Sequence, residues 1–432
     1  MTAPIDWNAA TNEAVSILRE YLRIDTSNPP GNEERAVDFL GSILAAEGVP
    51  FETAESAPGR SNLIARLGPG PGGVCLLNHT DVVPVESQFW DGDPFGGELR
   101  DGFLWGRGAL DMKGMGIIEL MTIILLKRHE VPLRRAVTFL AVADEEAGSE
   151  FGAAWLERNR PEWLEADLVI NEGAYGLVDF PGAGTPVFSF APGEKVPLWL
   201  RLVTRGRPGH GSVPHGDNCA ERLVQALGRI AAWQQGARVT PIMQAQFDAL
   251  AAAGLGAAPH DASGLATAAA SPATRARLSN TISLTTISTG VKVNVIPAEA
   301  SATLDCRLLP DVDPDEFLAG LGTVIGDERV EIEVISRYQG AGSPLDSEFT
   351  RVVAAVCSEL VEGVRLIPEL TPGFTDSRIF RVRGVPAYGF VPCLLPPEDL
   401  ATIHGHNERI GVENIRLGLQ VMYEVVRRLC SA

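Results

Sequence analysis

The chain has 432 residues, of which 45% are hydrophobic and 21% charged, and its formal net charge is −19. At about 100 to 200 residues per domain, this length predicts two or more domains. The acidic balance argues against nucleic-acid binding, because electrostatic affinity for phosphate backbones needs clustered Lys and Arg. The sequence has no uninterrupted apolar run of about eighteen residues, so we expect a soluble protein without a membrane span.

The first predicted element is an amphipathic helix within the N-terminal segment MTAPIDWNAATNEAVSILREYL. This segment lacks a basic stretch followed by an apolar core, so we expect no secretory signal and a cytoplasmic location. The cysteines form no CxxC pair and have no regular spacing, which predicts buried, reduced thiols. They are Cys75, Cys219, Cys306, Cys357, Cys393 and Cys430.

Four segments then share one design, an apolar run of strand length that ends in acidic or histidine side chains. They are VCLLNHTD (74–81), FLWGRGALD (103–111), AVTFLAVADEE (136–146) and DLVINEG (167–173). Between the second and the third lies MKGMGIIELMTIILLKRHE, which predicts a buried helix. This alternation is typical of a mixed, mainly parallel α/β sheet flanked by helices, whose ligands bind outside the carboxyl ends of the strands.

After residue 192 the predicted order becomes strand, helix, strand, strand, helix, strand, a βαββαβ arrangement typical of a small α+β domain. An Ala-rich stretch at 236–278 interrupts this order and is expected to be helical or partly mobile. The α/β pattern resumes at about residue 340 and closes with the helix VENIRLGLQVMYEVVRRL. We therefore predict a first domain made of 1–192 and 339–432, into which 193–338 is inserted as a second domain.

The motif NHTDVVP places His79 and Asp81 two residues apart at a strand end. Alternate side chains of a strand share a face, so Asp81 could accept the proton of one His79 ring nitrogen while the other nitrogen binds a metal. The alternative is a hydrogen-bonded surface pair, which an HxD motif by itself does not exclude.

The segment GRGALDMKG places Asp111 in a glycine-rich turn just before a helix. A single carboxylate can bridge two divalent cations, and glycines permit the backbone geometry that such a bridge needs. The alternative is the phosphate loop of an α/β nucleotide enzyme, although the pattern GxxxxGK[ST] is absent.

Glu145 and Glu146 are adjacent and follow an apolar strand. Two carboxylates at a buried strand end repel each other unless a cation or a shared proton compensates. One of them can bind a metal while its neighbour transfers a proton. The alternative is an exposed acidic loop before the helix predicted near Ser149.

Glu172 ends the apolar run DLVIN, and His404 lies in the polar segment IHGHNERI. Each is a weak signal alone, because a strand-end Glu is usually solvated and a loop His usually binds no metal. Together with the motifs above they complete a set of two imidazoles and three carboxylates. Such a set suits a pair of zinc-like ions that share one carboxylate.

The motifs, in their order along nearly the whole chain, resemble the di-zinc metallopeptidase family of aminoacylase, acetylornithine deacetylase, succinyl-diaminopimelate desuccinylase and glutamate carboxypeptidase. The motifs that carry the resemblance are HTDVVP, GRGALDMKG, DEEAGS, NEG, GHGSVP, NVIPAEASATLDCR, GFTDSR and HGHNE. The resemblance implies one zinc held by His79, Asp111 and Glu172. It implies a second zinc held by Asp111, Glu146 and His404, because the HxxNE spacing favours His404 over the neighbouring histidine.

The resemblance also assigns roles beyond the metal ligands. Glu145 is the expected base, Asp81 the partner of His79, and the peptide after Asp111 is expected to be cis. The inserted domain becomes a lid and dimerisation domain, which implies a homodimer in which His210 of GHGSVP reaches the neighbouring active site. The expected substrate contacts are Asn294, Arg307, Thr375 and Arg378.

These observations predict a metal-dependent hydrolase of amide bonds in N-acyl amino acids or dipeptides, with Glu145 activating a zinc-bridging water. We expect two Zn²⁺ per subunit, for which Co²⁺ or Mn²⁺ could substitute, since N and O sites accept several divalent ions. The large Ala-rich insertion resembles the aminoacylase-like and carboxypeptidase-like branches. The alternative function is a metal-binding protein of the same fold without catalytic activity.

Overall fold

The computed structural model describes residues 4–180, 184–256, 259 and 261–431. The helices are α1 (Trp7–Leu22), α2 (Glu34–Ala46), α3 (Lys113–Arg128), α4 (Ala153–Asn159), α5 (Cys219–Ala232), α6 (Pro241–Ala252), α7 (Ala262–Ala268), α8 (Pro272–Leu278), α9 (Pro314–Ile325), α10 (Glu348–Leu360), α11 (Ser377–Val382), α12 (Pro397–Leu400) and α13 (Val412–Cys430). Short 3₁₀ turns are Ser87–Phe89, Glu145–Ala147 and Pro161–Leu164.

The strands alternate with these helices in the first part of the chain and cluster in the middle. They are β1 (Phe51–Ala57), β2 (Arg60–Leu67), β3 (Val74–His79), β4 (Glu98–Arg100), β5 (Phe103–Trp105), β6 (Val137–Val142), β7 (Leu168–Leu177), β8 (Val187–Glu194), β9 (Val196–Arg205), β10 (Gly209–His210), β11 (Thr281–Thr289), β12 (Val295–Ile296), β13 (Glu299–Leu308), β14 (Val330–Arg337), β15 (Arg365–Thr371), β16 (Ala387–Leu395) and β17 (Arg409–Gly411).

The central sheet has eight strands in the order β1-β2-β6-β3-β7-β16-β8-β15. Its middle is parallel, since β3 pairs in parallel with β6 and β7, and β16 pairs in parallel with β7. Every residue of β3 and β6 is buried. Their continuous apolar runs therefore form strands that are covered on both faces, as is usual in parallel sheets.

Helices cover the two faces of this sheet. On one face Leu76 and Phe139 pack in a core with α1, α3, α10 and α13. On the other face Leu77 and Leu140 pack with α4, α11 and the turn at Pro161–Leu164. The two layers of helices around a mainly parallel sheet match the predicted fold class.

The middle of the chain forms a second, antiparallel sheet in the order β11-β13-β9-β14. Residues of β13 alternate between buried and less buried, because α5 and α9 cover only one face of the sheet. This is the predicted βαββαβ arrangement. The chain enters it between Glu194 and Val196 and leaves after Arg337, close to the predicted limits, while the exact division at 193 and 338 stays a prediction.

The Ala-rich stretch 236–278 is largely helical and contains α6, α7 and α8, apart from residues 257, 258 and 260, which lie outside the described part. Ile242, Met243 and Leu278 of this stretch form a small core with Leu370 of β15. The insertion therefore packs on the central sheet.

Two further features concern the whole described chain. All six cysteines are buried with free thiols, as predicted. Within the described ranges, no helix combines the length and the apolar character that crossing a bilayer requires.

Candidate metal centre

The candidate ligands come from chain segments that meet at one edge of the central sheet. β6, β3 and β7 are neighbours and run parallel, so their carboxyl ends lie side by side. His79 ends β3, Glu145 and Glu146 follow β6, and Glu172 lies within β7. The topology thus brings together residues that are almost a hundred positions apart in the sequence.

The His79 ring faces two of the predicted carboxylates. Its Nε2 atom lies 3.2 Å from Oδ1 of Asp111 and 3.6 Å from Oε1 of Glu172. His79, Glu145 and Glu172 form one group whose potential ligand atoms all lie within 4.8 Å of one another. Glu145, the expected base, thus joins His79 and Glu172 of the predicted first ion site, while Asp111, its third predicted ligand, faces the same nitrogen of His79.

The second group forms around the other oxygen of Asp111. Nε2 of His404 lies 3.1 Å from Oδ2 of Asp111 and 3.3 Å from Oε1 of Glu146. His404 has a φ angle of 57°, in the left-handed region that histidine rarely adopts. The two oxygens of Asp111 therefore face two different histidines, the arrangement that a bridging carboxylate needs.

The hydrogen bonds of His79 identify the ring nitrogen that is free for a cation. Its Nδ1 lies 3.0 Å from the backbone carbonyl of Asp81. A carbonyl oxygen can only accept, so Nδ1 carries the proton and the lone pair of neutral His79 lies on Nε2. That lone pair points at oxygens of Asp111 and Glu172, which are acceptors too, and a cation between them satisfies all three.

Buried charge in the centre shifts several pKa values. Burial raises the pKa of Glu145 well above its usual range, and the charge of Glu172 adds to this effect. Burial and the charge of Asp111 likewise raise the pKa of Glu146 and of Glu172. Oε1 of Glu145 is buried without a hydrogen-bond partner. The excess of carboxylates is what divalent cations would compensate.

The neighbouring carboxylates raise the pKa values of the two histidines. Although burial lowers it, hydrogen bonds to Asp111 and Asp81 raise the pKa of His79 well above its usual range. Hydrogen bonds to Asp111 and Glu146 raise the pKa of His404 to about 10. Imidazole and carboxylate groups at these spacings form the N and O donor set that zinc-like ions take.

Asp81 is fully buried and connects His79 to the glutamate pair. Its Oδ1 lies 3.4 Å from Nδ1 of His79, in line with the predicted pairing. It also accepts hydrogen bonds from the backbone N–H groups of Glu145 at 3.1 Å and Glu146 at 3.2 Å. Asp81 therefore positions the glutamate turn as well as the histidine.

The sequence reasoning missed the role of Glu408, which it used only to define a spacing. Glu408 is fully buried, pairs with Arg107 at 2.7 Å and accepts hydrogen bonds from the backbone N–H groups of Leu110 and Asp111. It thereby holds the Asp111 loop, in which the predicted cis peptide joins Asp111 to Met112. Its carboxylate also accepts from the N–H of Gly108, so these amides are not free to hold the phosphate of a nucleotide.

A second supporting group lies behind Asp81 and was also missed. Arg60 pairs with Glu33 at 2.6 Å and with Asp144 at 2.7 Å. The amide of Asn28 donates to both Asp81 and Asp144. These residues come from separate segments, and although Asp144 begins the motif DEEAGS, only the contacts reveal the group.

His406, the neighbouring histidine, points elsewhere. Its ring lies against Phe89, with 5.1 Å between the ring centroids, and its Nε2 lies 3.9 Å from Glu86. This placement agrees with the preference for His404.

The two groups of ligands open into a cavity of about 400 Å³, here called the cleft. Its lining comes from both sheets: Asp111, Glu145, Glu146, Glu172, Gly173, Tyr175, Trp199, Arg307, Thr371, Gly373, Phe374, Thr375, Ile403 and His404.

Two of the predicted substrate contacts lie in the cleft. The guanidinium of Arg307 pairs with Asp305 at 2.8 Å and lies 5.0 Å from the ring centroid of Phe374. Its Nη1 is buried without a hydrogen-bond partner. The hydroxyl of Thr375 donates to Glu194 at 3.0 Å.

Arg378 is buried beneath the cleft. It donates to the carbonyls of Thr375 at 2.9 Å and Gly148 at 3.1 Å, and to Oγ of Ser149 at 3.1 Å. These bonds tie it to the turn that carries Glu146. Its predicted contact with substrate stays a prediction, and its bonds favour a positioning role.

His210 and Asn294 lie apart from the cleft. His210 ends β10 and Asn294 directly precedes its partner strand β12, and the N–H of Gly211 donates to the carbonyl of Asn294 at 2.9 Å. Both residues are exposed, and neither lines the cleft. The N–H of Ser212 donates to Nδ1 of His210, so the neutral ring carries its proton on the outward nitrogen Nε2.

Comparison with known proteins agrees with this geometry. The model of peptidase family M20/M25/M40 matches residues 75–428, most of the chain. The chain belongs to this family. Aminoacylase-1A of Rattus norvegicus is 30% identical over 97% of the chain and 95% of its own length, and Aminoacylase-1 of Homo sapiens is 30% identical with the same coverage.

Solved M20 structures show the same fold. The metallo-carboxypeptidase Sso-CP2 of Sulfolobus solfataricus superposes with a TM-score of 0.77 at 20% identity, covering 96% of this chain and 99% of its own. The dipeptidase Dug1p of Saccharomyces cerevisiae gives 0.72 at 16% identity, covering 98% and 97%. The predicted family and fold class are confirmed, and the M20 chain is a metal-dependent hydrolase that acts on amide bonds.

Proposed function

We propose that the chain is an aminoacylase-type enzyme that hydrolyses N-acyl amino acids with two zinc ions bound per subunit. The observation that carries this proposal is the position of Asp111, whose two oxygens lie 3.2 Å from His79 and 3.1 Å from His404. The relatives named aminoacylase, matched over nearly their whole length, favour N-acyl amino acids over dipeptides as the substrate class.

His79, Asp111 and Glu172 would hold one ion, and Asp111, Glu146 and His404 would hold the other. Bound cations at these positions supply a water of lowered pKa and polarise the substrate carbonyl. The contacts of Glu408 and Asp81 described above position Asp111, His79 and Glu146, as outer contacts of metal ligands usually do. Co²⁺ and Mn²⁺ are expected substitutes, since the donors are nitrogen and oxygen atoms.

Glu145 is proposed as the general base. Its carboxylate lines the cleft, and Oε1 has no hydrogen-bond partner there. Burial raises its pKa, so the group that takes a proton from the attacking water can also return it to the leaving amine. The backbone N–H of Glu145 is held by Asp81 at 3.1 Å, which fixes the position of the base.

Arg307 is proposed to bind the carboxylate of the amino acid. A guanidinium is always charged, and its N–H groups form strong hydrogen bonds with a carboxylate. Asp305 holds Nε and Nη2 of Arg307, which leaves the buried Nη1 as the donor for substrate. Thr375 borders the same part of the cleft.

His210 and Asn294 are proposed to act in the active site of a second subunit. Their exposure and their separation from the cleft support this role, as does the outward N–H of His210, which is suited to stabilise a developing oxyanion. The exposed edge strand β11 and the exposed Val224 of α5 offer a surface for a homodimer through the lid domain. A cytoplasmic location stays a prediction.

The test is a hydrolysis screen of purified protein against N-acyl amino acids and dipeptides, with and without a chelator. We expect hydrolysis of N-acyl amino acids, its loss with chelator and its return with Zn²⁺. If the protein hydrolyses only dipeptides, the substrate class is dipeptides and not N-acyl amino acids. Bound zinc without hydrolysis of any substrate would support the non-catalytic alternative.

A further inference from the structure

A second cavity, here called the side cavity, lies next to the cleft and shares Gly173 and Tyr175 with it. Its volume is about 460 Å³, within the range of about 300 to 1,000 Å³ that is usual for small-molecule pockets. The hydroxyl of Tyr175 donates to the carbonyl of Leu110 at 3.2 Å, beside the metal ligand Asp111. One wall of the side cavity therefore begins at the proposed reaction centre.

The walls of the side cavity combine the central sheet with the Ala-rich insertion. Met243, Phe247 and Leu250 of α6 line it from one side, and Ile367 of β15 lines it from another. The same insertion buries Ile242 in a core with the sheet, so this wall is anchored. The lining is rich in apolar side chains, as a site for a hydrocarbon group requires.

The charged residues of the side cavity offset each other. Arg277 of α8 lies 3.6 Å from Glu369 of β15, and both line the cavity. Among the described lining residues no other charged side chain occurs. The cavity therefore offers no uncompensated charge that would select an acidic or basic acyl group.

The orientation of the substrate follows from Arg307, and this step rests on the proposed function. Arg307 and its neighbours Trp199 and Phe374 line the cleft but not the side cavity. If Arg307 binds the amino-acid carboxylate, the acyl group on the other side of the amide bond lies away from Arg307. The side cavity, which adjoins the cleft at Gly173 and Tyr175, offers space for it.

We propose that the side cavity binds the acyl chain of the substrate and selects uncharged, medium-length or longer acyl groups over acetyl. The Ala-rich insertion then determines acyl specificity, because α6 and α8 form walls that limit the length and shape of the acyl groups that fit.

The experiment narrows the side cavity from two helices. Leu250→Trp on α6 and Thr274→Trp, at a second lining position on α8, each place a large ring in it. Gln244→Trp is the matched control, because Gln244 lies on α6, is exposed and does not line the cavity. We would measure kcat/KM for N-acetyl, N-octanoyl and N-dodecanoyl derivatives of one amino acid, and for N-acetyl derivatives of several amino acids.

The expected result is that wild type prefers octanoyl to acetyl substrates and that each narrowing variant lowers kcat/KM for octanoyl at least tenfold. Acetyl hydrolysis and the control should stay within twofold of wild type. An equal loss for all acyl lengths, no loss at all, or a change in preference among amino acids instead would overturn the proposal.

Binding separates this proposal from the proposed function. Calorimetric titration of N-octanoyl amino acid into the Zn²⁺-loaded Glu145→Gln protein, with and without Leu250→Trp, does not depend on turnover. If wild type hydrolyses no N-acyl amino acid, the proposed function fails. Binding of the octanoyl compound that Leu250→Trp abolishes would still support the proposal that the side cavity binds the acyl chain. Binding that is absent, or unaffected by Leu250→Trp, would reject it.

Discussion

The metal centre and the predicted contacts of the lid differ. One chain brings the residues of the metal centre together at the carboxyl edge of the central sheet, but it does not bring all of the lid contacts into the cleft. His79, Glu145 and Glu172 are no more than 8% exposed. His210 and Asn294 are exposed and lie outside the cleft. One chain therefore brings the candidate metal ligands together, whereas the proposed function of His210 and Asn294 requires the active site of a second subunit.

The largest effect is expected for Glu145→Gln, which tests the metal centre. The amide keeps the size of the side chain but cannot accept the proton, so kcat should fall by about a thousandfold, within the range of roughly 10² to 10⁴ for general-base catalysis. Bound zinc, measured by atomic emission, should stay at the wild-type level. Glu146→Gln serves as the contrast, since it should reduce the zinc content. Near-native turnover of Glu145→Gln would remove it from the role of base.

His210→Ala tests the predicted contacts of the lid. Loss of one oxyanion donor should lower kcat by roughly 10² to 10³, measured with the preferred N-acyl amino acid. His215→Ala, at a nearby histidine, is the control and should remain active.

Mixing subunits decides whether His210 acts across the interface. Co-expressed His210→Ala and Glu145→Gln chains form mixed dimers in which one of the two sites is intact, so random pairing should restore about a quarter of wild-type activity. If the mixture stays inactive while mixed dimers are present, His210 acts within its own chain and the contrast with the metal centre is lost.

Arg307→Lys tests a predicted substrate contact of the lid that lies in the cleft of its own chain. Lysine keeps the charge but not the forked geometry, and the loss of a charged hydrogen bond should lower kcat/KM by about tenfold to a hundredfold. Arg337→Lys, on the exposed face of the lid, should have no effect. The substitution should lower kcat/KM less for amidated substrates than for free acids. An equal decrease for both would argue against carboxylate binding by Arg307.

The smallest expected effect concerns the support of the metal centre. Asp81→Asn keeps the shape of the side chain but weakens the acceptor that holds the Glu145–Glu146 turn, so the Kd for zinc should rise by about tenfold. Competition with a zinc-binding dye measures this change. Unchanged affinity together with unchanged kcat would show that the backbone contacts hold the centre without the charge of Asp81.

Local motifs made much of the candidate site predictable. His79 and Asp81, and likewise Glu145 and Glu146, are close in sequence, and their residue types already limit the chemistry to metals and protons. Glu408 lay within a recognised motif, yet its role depends on backbone N–H groups some 300 positions away. Arg60 and Glu33 lie outside every motif, and their pairing with Asp144 could not be predicted, because Arg60 meets Asp144 only after β2 and β6 pair.

The sequence by itself determined the class of the fold and the kinds of ligand, because strand periodicity and donor chemistry are properties of neighbouring residues. The tertiary structure alone decided the distances from Asp111 to the two histidines and placed the Ala-rich insertion over a cavity beside Tyr175. The physical reason is that Ala-rich helices have weak amphipathic patterns, so their partners are set by packing against distant strands. Which apolar surfaces remain open to a ligand is settled only when that packing is complete.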